Sequence, residues 1–317
     1  MAVGCSLILQ MAKAAVRCEG LVKRYGEVVA VDGLDLLIEE GECFALLGPN
    51  GAGKTTTVEI MQGILTPDSG TVTVLGLQWR RDAREIRQRM GTQLQETLLP
   101  EKLTVLEVLQ MFRSFYSRGS DVESVLELVQ LGEKRQARTK TLSGGQRQRL
   151  AVGTALVCDP DVLFLDEPTT GLDPQSRRQL WGVINDFKER GRTVVLTTHY
   201  MEEAQRLCDR VAVVDHGRLI ALGSPASLIA QLDAEHIVEF AIDGEIEQAA
   251  FGGLPGVRAV RQENGIVRLR VQRVHEAVPA LMALIAQRGA DLTELTTHHA
   301  TLEDVFIALT GRHLRDG

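Results

Sequence analysis

The sequence has no long hydrophobic run, no paired cysteines and no excess of positive charge. The apolar stretch at residues 277–286 is short and contains Pro279. A membrane-spanning helix needs about 20 apolar residues, so we expect no membrane span. No C-x-x-C pair occurs. The cysteines are widely spaced and odd in number, which indicates reduced thiols in a cytosolic protein rather than a disulfide scaffold. The five cysteines are Cys5, Cys18, Cys43, Cys158 and Cys208.

The charge balance is mildly acidic, with 35 Lys and Arg against 42 Asp and Glu, a net charge of −7. A nucleic-acid groove needs clustered positive charge, so we expect no nucleic-acid partner. At the N-terminus, an apolar patch at residues 7–9 has no basic residue before it and does not fit a signal peptide. Met11 is an alternative start, and we interpret residues 1–15 as an N-terminal extension.

Hydrophobic residues make up 44% of the chain and charged residues 24%, which excludes disordered and collagen-like proteins. Short apolar runs alternate with helical patterns over the first two thirds. Buried strands joined by helices form parallel sheets covered on both faces, so the pattern predicts an α/β fold with a mostly parallel core sheet. The predicted strands are residues 43–47, 71–75, 162–165, 193–197 and 211–214, and a helix is predicted at 54–63.

Three further helices have capping signals. Thr104 with Glu107 and Ser120 with Glu123 have the spacing of a capping box before an apolar pattern. Asp173 followed by proline is typical of an N-cap and a first helical position, and it predicts a helix to about residue 189.

The pattern changes after residue 225 and predicts a small α+β domain. Its strands are predicted at 236–242, 257–261, 266–271 and 292–296, and its helices at 245–251 and 275–288. The Asn264-Gly265 pair indicates a hairpin, and the β-α-β-β-α-β order is typical of a ferredoxin-like domain. A last helix begins at Thr301 and is capped by Asp304. Its apolar positions are Leu302, Val305, Phe306 and Leu309.

Residues 48–55 fit G-x-x-x-x-G-K-T between a predicted strand and a predicted helix, the context that a phosphate-binding loop requires. Its glycines let backbone N–H groups surround an anion, and the helix N-terminus adds its dipole. Lys54 supplies a charge for β- and γ-phosphates, and the hydroxyl of Thr55 suits Mg²⁺. The predicted contacts are Gly48, Pro49, Asn50, Gly51, Ala52, Gly53, Lys54, Thr55 and Thr56.

Two carboxylates, Asp166 and Glu167, follow the apolar strand predicted at residues 162–165. Ligands of open parallel sheets bind outside the carboxyl ends of the strands. Asp166 is therefore a candidate to hold Mg²⁺ through its water shell, and Glu167 a candidate general base for water. An acid pair at a strand end is common, and it indicates this chemistry only together with the phosphate loop.

Residues 142–146 read Leu-Ser-Gly-Gly-Gln, and Ser143 with Gln146 has capping-box spacing. Ser143, Gly144, Gly145 and Gln146 thus predict a second helix N-terminus able to hold an anion. Here the sequence resembles the ATP-binding cassette family, whose signature is LSGGQ. The resemblance covers about residues 16–230 and implies a P-loop NTPase fold with an antiparallel β subdomain and a helical signature subdomain. It also implies ATP and Mg²⁺ as cofactors.

The resemblance assigns further residues to the nucleotide. Tyr25 matches the aromatic residue that stacks on adenine, and His199 matches the histidine that contacts the γ-phosphate. Gln95 matches the glutamine that contacts Mg²⁺ and senses the transmembrane partner. Gln93 lies two residues away, and only the distance to the helix that follows favours Gln95. Asp173 matches the loop at the dimer interface and can cap its helix at the same time.

In this family the phosphate loop and the signature meet only across a dimer. The resemblance therefore implies a second cassette subunit, with a homodimer favoured. Residues 301–311 resemble the C-terminal motif of ATPase subunits of ABC-2-type, daunorubicin-like exporters, except that Ala300 replaces the usual proline. The same helix could instead serve only to complete the core of a domain at residues 235–317.

We therefore expect the ATPase subunit of an exporter, peripheral at the cytoplasmic face of the cell membrane below a separately encoded permease. The alternatives are the ATPase of an importer and a soluble cassette ATPase that acts on ribosomes or DNA. The α+β tail disfavours the first. The single cassette and the negative charge disfavour the second.

Overall fold

The computed structural model describes residues 13–310 except 96, 235, 245 and 264, and these are the described residues below. Of the predicted N-terminal extension, residues 1–12 lie outside this part, whereas Ala14 and Ala15 belong to the first strand. The chain divides into two compact units, the first ending at Leu222 and the second beginning at Gly223. No helix in the described part is long and apolar enough to cross a membrane.

The first unit contains two sheets. Its strands are β1 (Ala14–Tyr25), β2 (Val28–Glu39), β3 (Cys43–Leu47), β4 (Ser69–Val74), β5 (Leu77–Gln78), β6 (Met90–Gln93), β7 (Val162–Asp166), β8 (Thr193–Thr198), β9 (Arg210–Asp215) and β10 (Arg218–Gly223). Its helices are α1 (Lys54–Met61), α2 (Trp79–Arg89), α3 (Val105–Arg113), α4 (Val122–Leu128), α5 (Gly144–Leu156), α6 (Pro174–Glu189) and α7 (Met201–Leu207). Short 3₁₀ turns lie at Gly132–Lys134 and Thr139–Thr141.

The core sheet has the order β10-β9-β3-β8-β7-β6, and β9, β3, β8, β7 and β6 run parallel. Every residue of β3, β7 and β8 is buried. Strands buried on both faces read as continuous apolar runs, which is why the sequence located them. The predicted parallel core is therefore confirmed. Because these strands are parallel, the carboxyl ends of β3, β7 and β8 lie at the same edge of the core sheet.

The second sheet has the order β2-β1-β4-β5, and its pairs are antiparallel. It is the antiparallel β subdomain that the family resemblance implied. The alternation of β1 is broken by register shifts against β2, one of them near Gly20, where φ is 56°. These shifts hide the period of two in β1, so residue pattern alone predicted only β4 of this sheet.

One predicted helix cap is wrong. Helix α3 begins with the predicted capping box of Thr104, but α4 has Asp121 rather than Ser120 at its N-cap. The N–H of Ser120 donates instead to the carbonyl of Val157, which holds Ser120 in the preceding loop. Glu123 pairs with Arg135 at 2.6 Å and does not reach back to the cap.

The second unit has the predicted ferredoxin-like strand order. Its elements are α8 (Pro225–Ala230), β11 (His236–Asp243), α9 (Gln248–Gly252), β12 (Val257–Glu263), β13 (Ile266–Val271), α10 (Val274–Gln287), β14 (Asp291–His299) and α11 (Leu302–Thr310). The sheet order is β12-β13-β11-β14, and every pair is antiparallel. Phe240, Phe251 and Leu281 form its core. Asn264 of the predicted turn lies outside the described residues.

Helix α11 begins where the sequence predicted it. The N–H and the hydroxyl of Thr301 both donate to the carboxylate of Asp304 at 2.8 Å, so these two residues cap the helix. Leu302, Val305 and Phe306 are buried, whereas Leu309 is exposed. Most of the predicted apolar stripe therefore packs inward. Gly311, the last residue of the predicted motif, lies outside the described residues.

Candidate nucleotide site

The phosphate loop connects β3 to α1, and two of its glycines are required by close backbone neighbours. A Cβ added at Gly53, where φ is 97°, would lie 2.1 Å from the carbonyl oxygen of Ala30. A Cβ added at Gly48 would lie 2.2 Å from the carbonyl oxygen of Val214. Since any larger side chain would displace neighbouring backbone, the loop path depends on glycine at both positions.

Lys54 is the first residue of α1 and is buried, with 4% of its surface exposed. Its ammonium donates to the carbonyls of Gly48 at 2.8 Å and Pro49 at 3.0 Å. Burial lowers the pKa of Lys54, and the nearby carboxylates of Glu167 and Asp166 partly oppose that shift. The charge of Lys54 thus lies inside the loop that would surround a phosphate.

Asp166 ends β7, and its carboxylate accepts a hydrogen bond from the hydroxyl of Thr197 on β8. Burial raises the pKa of Asp166, the neighbouring Glu167 adds to the rise, and hydrogen bonds from Thr197 and Thr55 lower it. The hydroxyl of Thr55 therefore lies beside the carboxylate. Asp166 also contributes to a raised pKa of Glu59, although burial is the larger cause there.

Glu167 follows Asp166 with a φ of 46°, a left-handed conformation that is uncommon for a residue with a side chain. Its N–H donates to the hydroxyl of Thr197 at 3.0 Å, and the hydroxyl of Thr170 donates to its Oε2 at 3.0 Å. These bonds hold the strained turn and aim the carboxylate. The sequence did not single out Thr197, although a threonine at the end of an apolar strand was a usable signal.

His199 lies just after β8, with Nδ1 3.2 Å from Oε2 of Glu167. The contact does not have hydrogen-bond geometry, and Nδ1 has no hydrogen-bond partner among the described residues. On the other side, the ammonium of Lys54 lies 4.0 Å from Oε1 of Glu167. The structure therefore brings three predicted residues, Lys54, Glu167 and His199, to one place beside the phosphate loop.

The predicted adenine contact, Tyr25, and the predicted metal ligand, Gln95, are both exposed. Tyr25 ends β1 with 49% of its surface exposed, as a stacking surface must be. Gln93 is buried and its amide donates to the carbonyl of Leu94, whereas Gln95 lies beyond the strand and is exposed. The sequence placed both glutamines on one strand face. That expectation is wrong because β6 ends at Gln93.

The signature segment begins α5 with the predicted capping box between Ser143 and Gln146, at 3.3 Å and 3.0 Å. A Cβ added at Gly145 would lie 2.3 Å from the hydroxyl oxygen of Ser176, whereas Gly144 has open space. Asp173 accepts from the N–H groups of Gln175 and Ser176, so it caps α6 as predicted.

The N-termini of α5 and α6 therefore pack together, and they form a second group of predicted residues. No hydrogen bond or ion pair within the described part of the chain joins this group to the phosphate loop. The described residues thus contain two separate groups of candidate site residues, one at the phosphate loop and one at the N-termini of α5 and α6.

Comparison with known proteins agrees with this geometry. Residues 31–170 match the sequence profile of the ABC transporter family. The chain is 42% identical to the Nod factor export ATP-binding protein I of Paraburkholderia xenovorans, over 96% of this chain and 100% of that one. It is 35% identical to the linearmycin resistance ATP-binding protein LnrL of Bacillus subtilis, over 95% and 99% of the two chains.

Solved structures match a smaller part of the chain. A part of the cbiONQ ABC transporter complex of Clostridium perfringens is 28% identical with a TM-score of 0.63, covering 70% of this chain and 92% of that one. A dimeric bacterial ABC transporter cassette is 27% identical with a TM-score of 0.61, covering 66% and 98%. The protein belongs to the ABC transporter family and is the ATP-binding, ATP-hydrolysing subunit of an exporter.

Proposed function

We propose that this subunit hydrolyses MgATP as a nucleotide-sandwich homodimer below a separately encoded ABC-2-type permease. The convergence of Lys54 and His199 on the two carboxylate oxygens of Glu167, at 4.0 Å and 3.2 Å, carries the proposal. Phosphoryl transfer to water needs positioning and charge stabilisation more than covalent chemistry. These three side chains supply a base and two stabilising groups at one end of β7.

Each of these three residues has one role in hydrolysis. Glu167 orients the attacking water and accepts its proton. Lys54 exchanges the carbonyls of Gly48 and Pro49 for phosphate oxygens, and His199 contacts the γ-phosphate. Backbone N–H groups of the phosphate loop and the N-terminus of α1 surround the β-phosphate. Tyr25 provides its exposed ring for the adenine.

The side chains at the end of β7 fit Mg²⁺. Thr55 and Asp166 offer a hydroxyl and a carboxylate side by side, the hard oxygen donors that this ion prefers, and Gln95 offers an amide oxygen from the loop after β6. When bound, the ion neutralises charge on the β- and γ-phosphates. A cation would also offset the burial that raises the pKa of Asp166.

The second half of each site comes from a second copy of the chain. The N-terminus of α5 offers Ser143, Gly144, Gly145 and Gln146 to a phosphate, yet no hydrogen bond or ion pair in the part of the chain that the structure describes joins it to the phosphate loop. A solved dimer of a similar cassette supports two chains as the working unit. ATP therefore joins the two copies, and hydrolysis releases them.

The membrane subunit selects the cargo. Relatives are named for Nod factor export and for linearmycin resistance, which supports an exported small molecule and a position at the cytoplasmic face of the membrane. We propose no nucleic-acid partner for this acidic chain.

The first test is the Glu167→Gln variant. The amide keeps the size of the side chain but cannot accept the proton, so turnover should fall by roughly 10²–10⁴-fold while ATP still binds. Steady-state ATP hydrolysis and size-exclusion chromatography with ATP measure both effects, and the ATP-bound dimer should accumulate. Glu202→Gln, an exposed glutamate of α7, is the matched control and should retain normal activity.

The partners are tested with the same variant. Tagged Glu167→Gln protein with ATP, recovered from detergent-solubilised native membranes, should bring down a polytopic membrane protein that mass spectrometry identifies. A substrate-binding protein in addition would favour an importer. Ribosomal or DNA-repair proteins without a membrane protein would contradict the transport assignment, and normal turnover of the variant would contradict the assigned base.

A further inference from the structure

One fully buried carboxyl group is not part of the candidate nucleotide site. Glu203, in the first turn of α7, has 0% of its surface exposed. Burial raises its pKa, and the neighbouring side chains of Thr198, Trp181, Thr169 and Arg177 partly oppose that shift. Burying such a group costs free energy, whereas an apolar residue of similar size would pack at no such cost.

The carboxyl of Glu203 is held by α6. The indole N–H of Trp181 donates to its Oε1 at 2.9 Å. Its Oε2 makes no hydrogen bond within the described part of the chain, and neither does the hydroxyl of Thr169. Thr169 belongs to the segment that leads from Glu167 to the cap of α6. The carboxyl thus lies between α6 and the segment that follows the proposed base.

The backbone of Glu203 is bonded to the turn that carries His199, since its N–H donates to the carbonyl of Tyr200 at 3.1 Å. The hydroxyl of Thr198 accepts the N–H of Tyr200 at 2.9 Å, which closes the turn around the histidine. The rings of His199 and Tyr200 lie 4.2 Å apart, and the guanidinium of Arg177 lies 4.2 Å from the centre of the Tyr200 ring. Because Arg177 belongs to α6, the turn contacts α6 both through this stack and through Glu203.

We propose that Glu203 is a positioning residue, whose carboxyl joins the turn of His199 to α6 and so keeps the imidazole beside Glu167. The inference rests on the proposed role of His199 and deepens it. Helix α7 begins two residues after His199, so a shift of its first turn would move the histidine directly. A displacement of about 1 Å in a positioned group is enough to reduce turnover strongly.

The test compares Glu203→Ala with Glu203→Gln. Loss of the carboxyl should lower kcat for ATP hydrolysis by about tenfold or more while KM for ATP stays within about twofold, because His199 acts on the developing charge rather than on nucleotide binding. Glutamine keeps an acceptor for Trp181 and should restore kcat to within about threefold of the parent. Glu202→Ala, one residue away on the exposed face of α7, should leave both constants unchanged.

A double-mutant cycle separates positioning from a general loss of structure. If Glu203 acts through His199, Glu203→Ala should lower turnover no further in a chain that already contains His199→Ala. Full additivity of the two losses, or an unchanged kcat in Glu203→Ala, would overturn the inference. Trp181→Phe, which removes the hydrogen bond from α6, replaces Glu203→Ala in the cycle if the alanine variant does not fold. Normal activity of His199→Ala alone would instead contradict the proposed function.

Discussion

Three ionisable side chains, Lys54, Asp166 and Glu203, are buried at or behind the nucleotide site, with 4%, 4% and 0% of their surfaces exposed. Burial is the largest cause of each pKa shift, downward for the amine and upward for the two carboxyls. Each of these groups makes the nucleotide-free protein less stable than an apolar replacement would. For Lys54 and Asp166, a bound phosphate and cation would offset that cost. For Glu203 the hydrogen bond from Trp181 offsets part of that cost.

This cost predicts a pH dependence for Glu203→Gln. Since burial raises the pKa of Glu203 in the folded protein, its stabilising contribution is complete below the unfolded pKa and is lost as pH rises through the folded pKa. Glutamine does not titrate, so the variant should gain stability relative to the parent as pH rises from the unfolded pKa of a glutamate through the raised folded pKa of Glu203. Thermal unfolding of both proteins across this range measures the difference. An advantage that shrinks with rising pH would contradict the assigned direction.

At the scale of elements, the sequence pattern predicted the strands that are buried on both faces and the helices whose caps are formed by neighbouring residues. The strands of the parallel core were found as apolar runs, and the caps at Thr104 and Ser143 form as predicted. The sequence pattern gave the wrong helix cap at Ser120, because the N–H of Ser120 donates to the carbonyl of Val157, which is distant in sequence. The same limit applies to Gly145, because no local signal shows that Ser176 lies against it. The motifs therefore supplied the candidate site residues, while their contacts had to come from the fold.

The junction of α5 with α6 gives a prediction about two adjacent glycines. Gly145→Ala places a Cβ 2.3 Å from the hydroxyl of Ser176, so the helices must separate and stability should fall by about 1–3 kcal/mol. Gly144→Ala meets open space and gains helix propensity, so it should be neutral or slightly stabilising. Denaturant unfolding of the two variants measures this contrast. Equal losses would show that the packing of Gly145 on Ser176 is not limiting.

At the scale of the whole molecule, the residues of the proposed nucleotide site fall into two groups, and no hydrogen bond or ion pair among the described residues joins the two. The phosphate loop, Glu167 and His199 lie together at the end of β7, whereas Ser143 and Asp173 cap α5 and α6. In the homodimer that we propose, two copies related by a two-fold axis complete two sites at once. An isologous pair of this kind makes each chain both a nucleotide holder and a cover for its partner. This arrangement can be tested by mixing chains with defects in different half-sites.

Lys54→Ala removes the phosphate-loop charge, and Ser143→Arg blocks the N-terminus of α5, so neither variant alone can assemble a complete site. In an equal mixture, half of the dimers contain one chain of each kind. Such a dimer has one intact site, formed by the loop of the Ser143→Arg chain and the signature of the Lys54→Ala chain. The mixture should therefore regain about one quarter of the parent's ATP hydrolysis, provided one site turns over independently.

The control mixture pairs Lys54→Ala with a chain that carries both substitutions. No dimer in that mixture has an intact phosphate loop, so no activity should return. Recovery in the first mixture and none in the control requires that the two half-sites come from different chains. If the site were completed within one chain, neither mixture would recover, because every chain would carry a defect of its own.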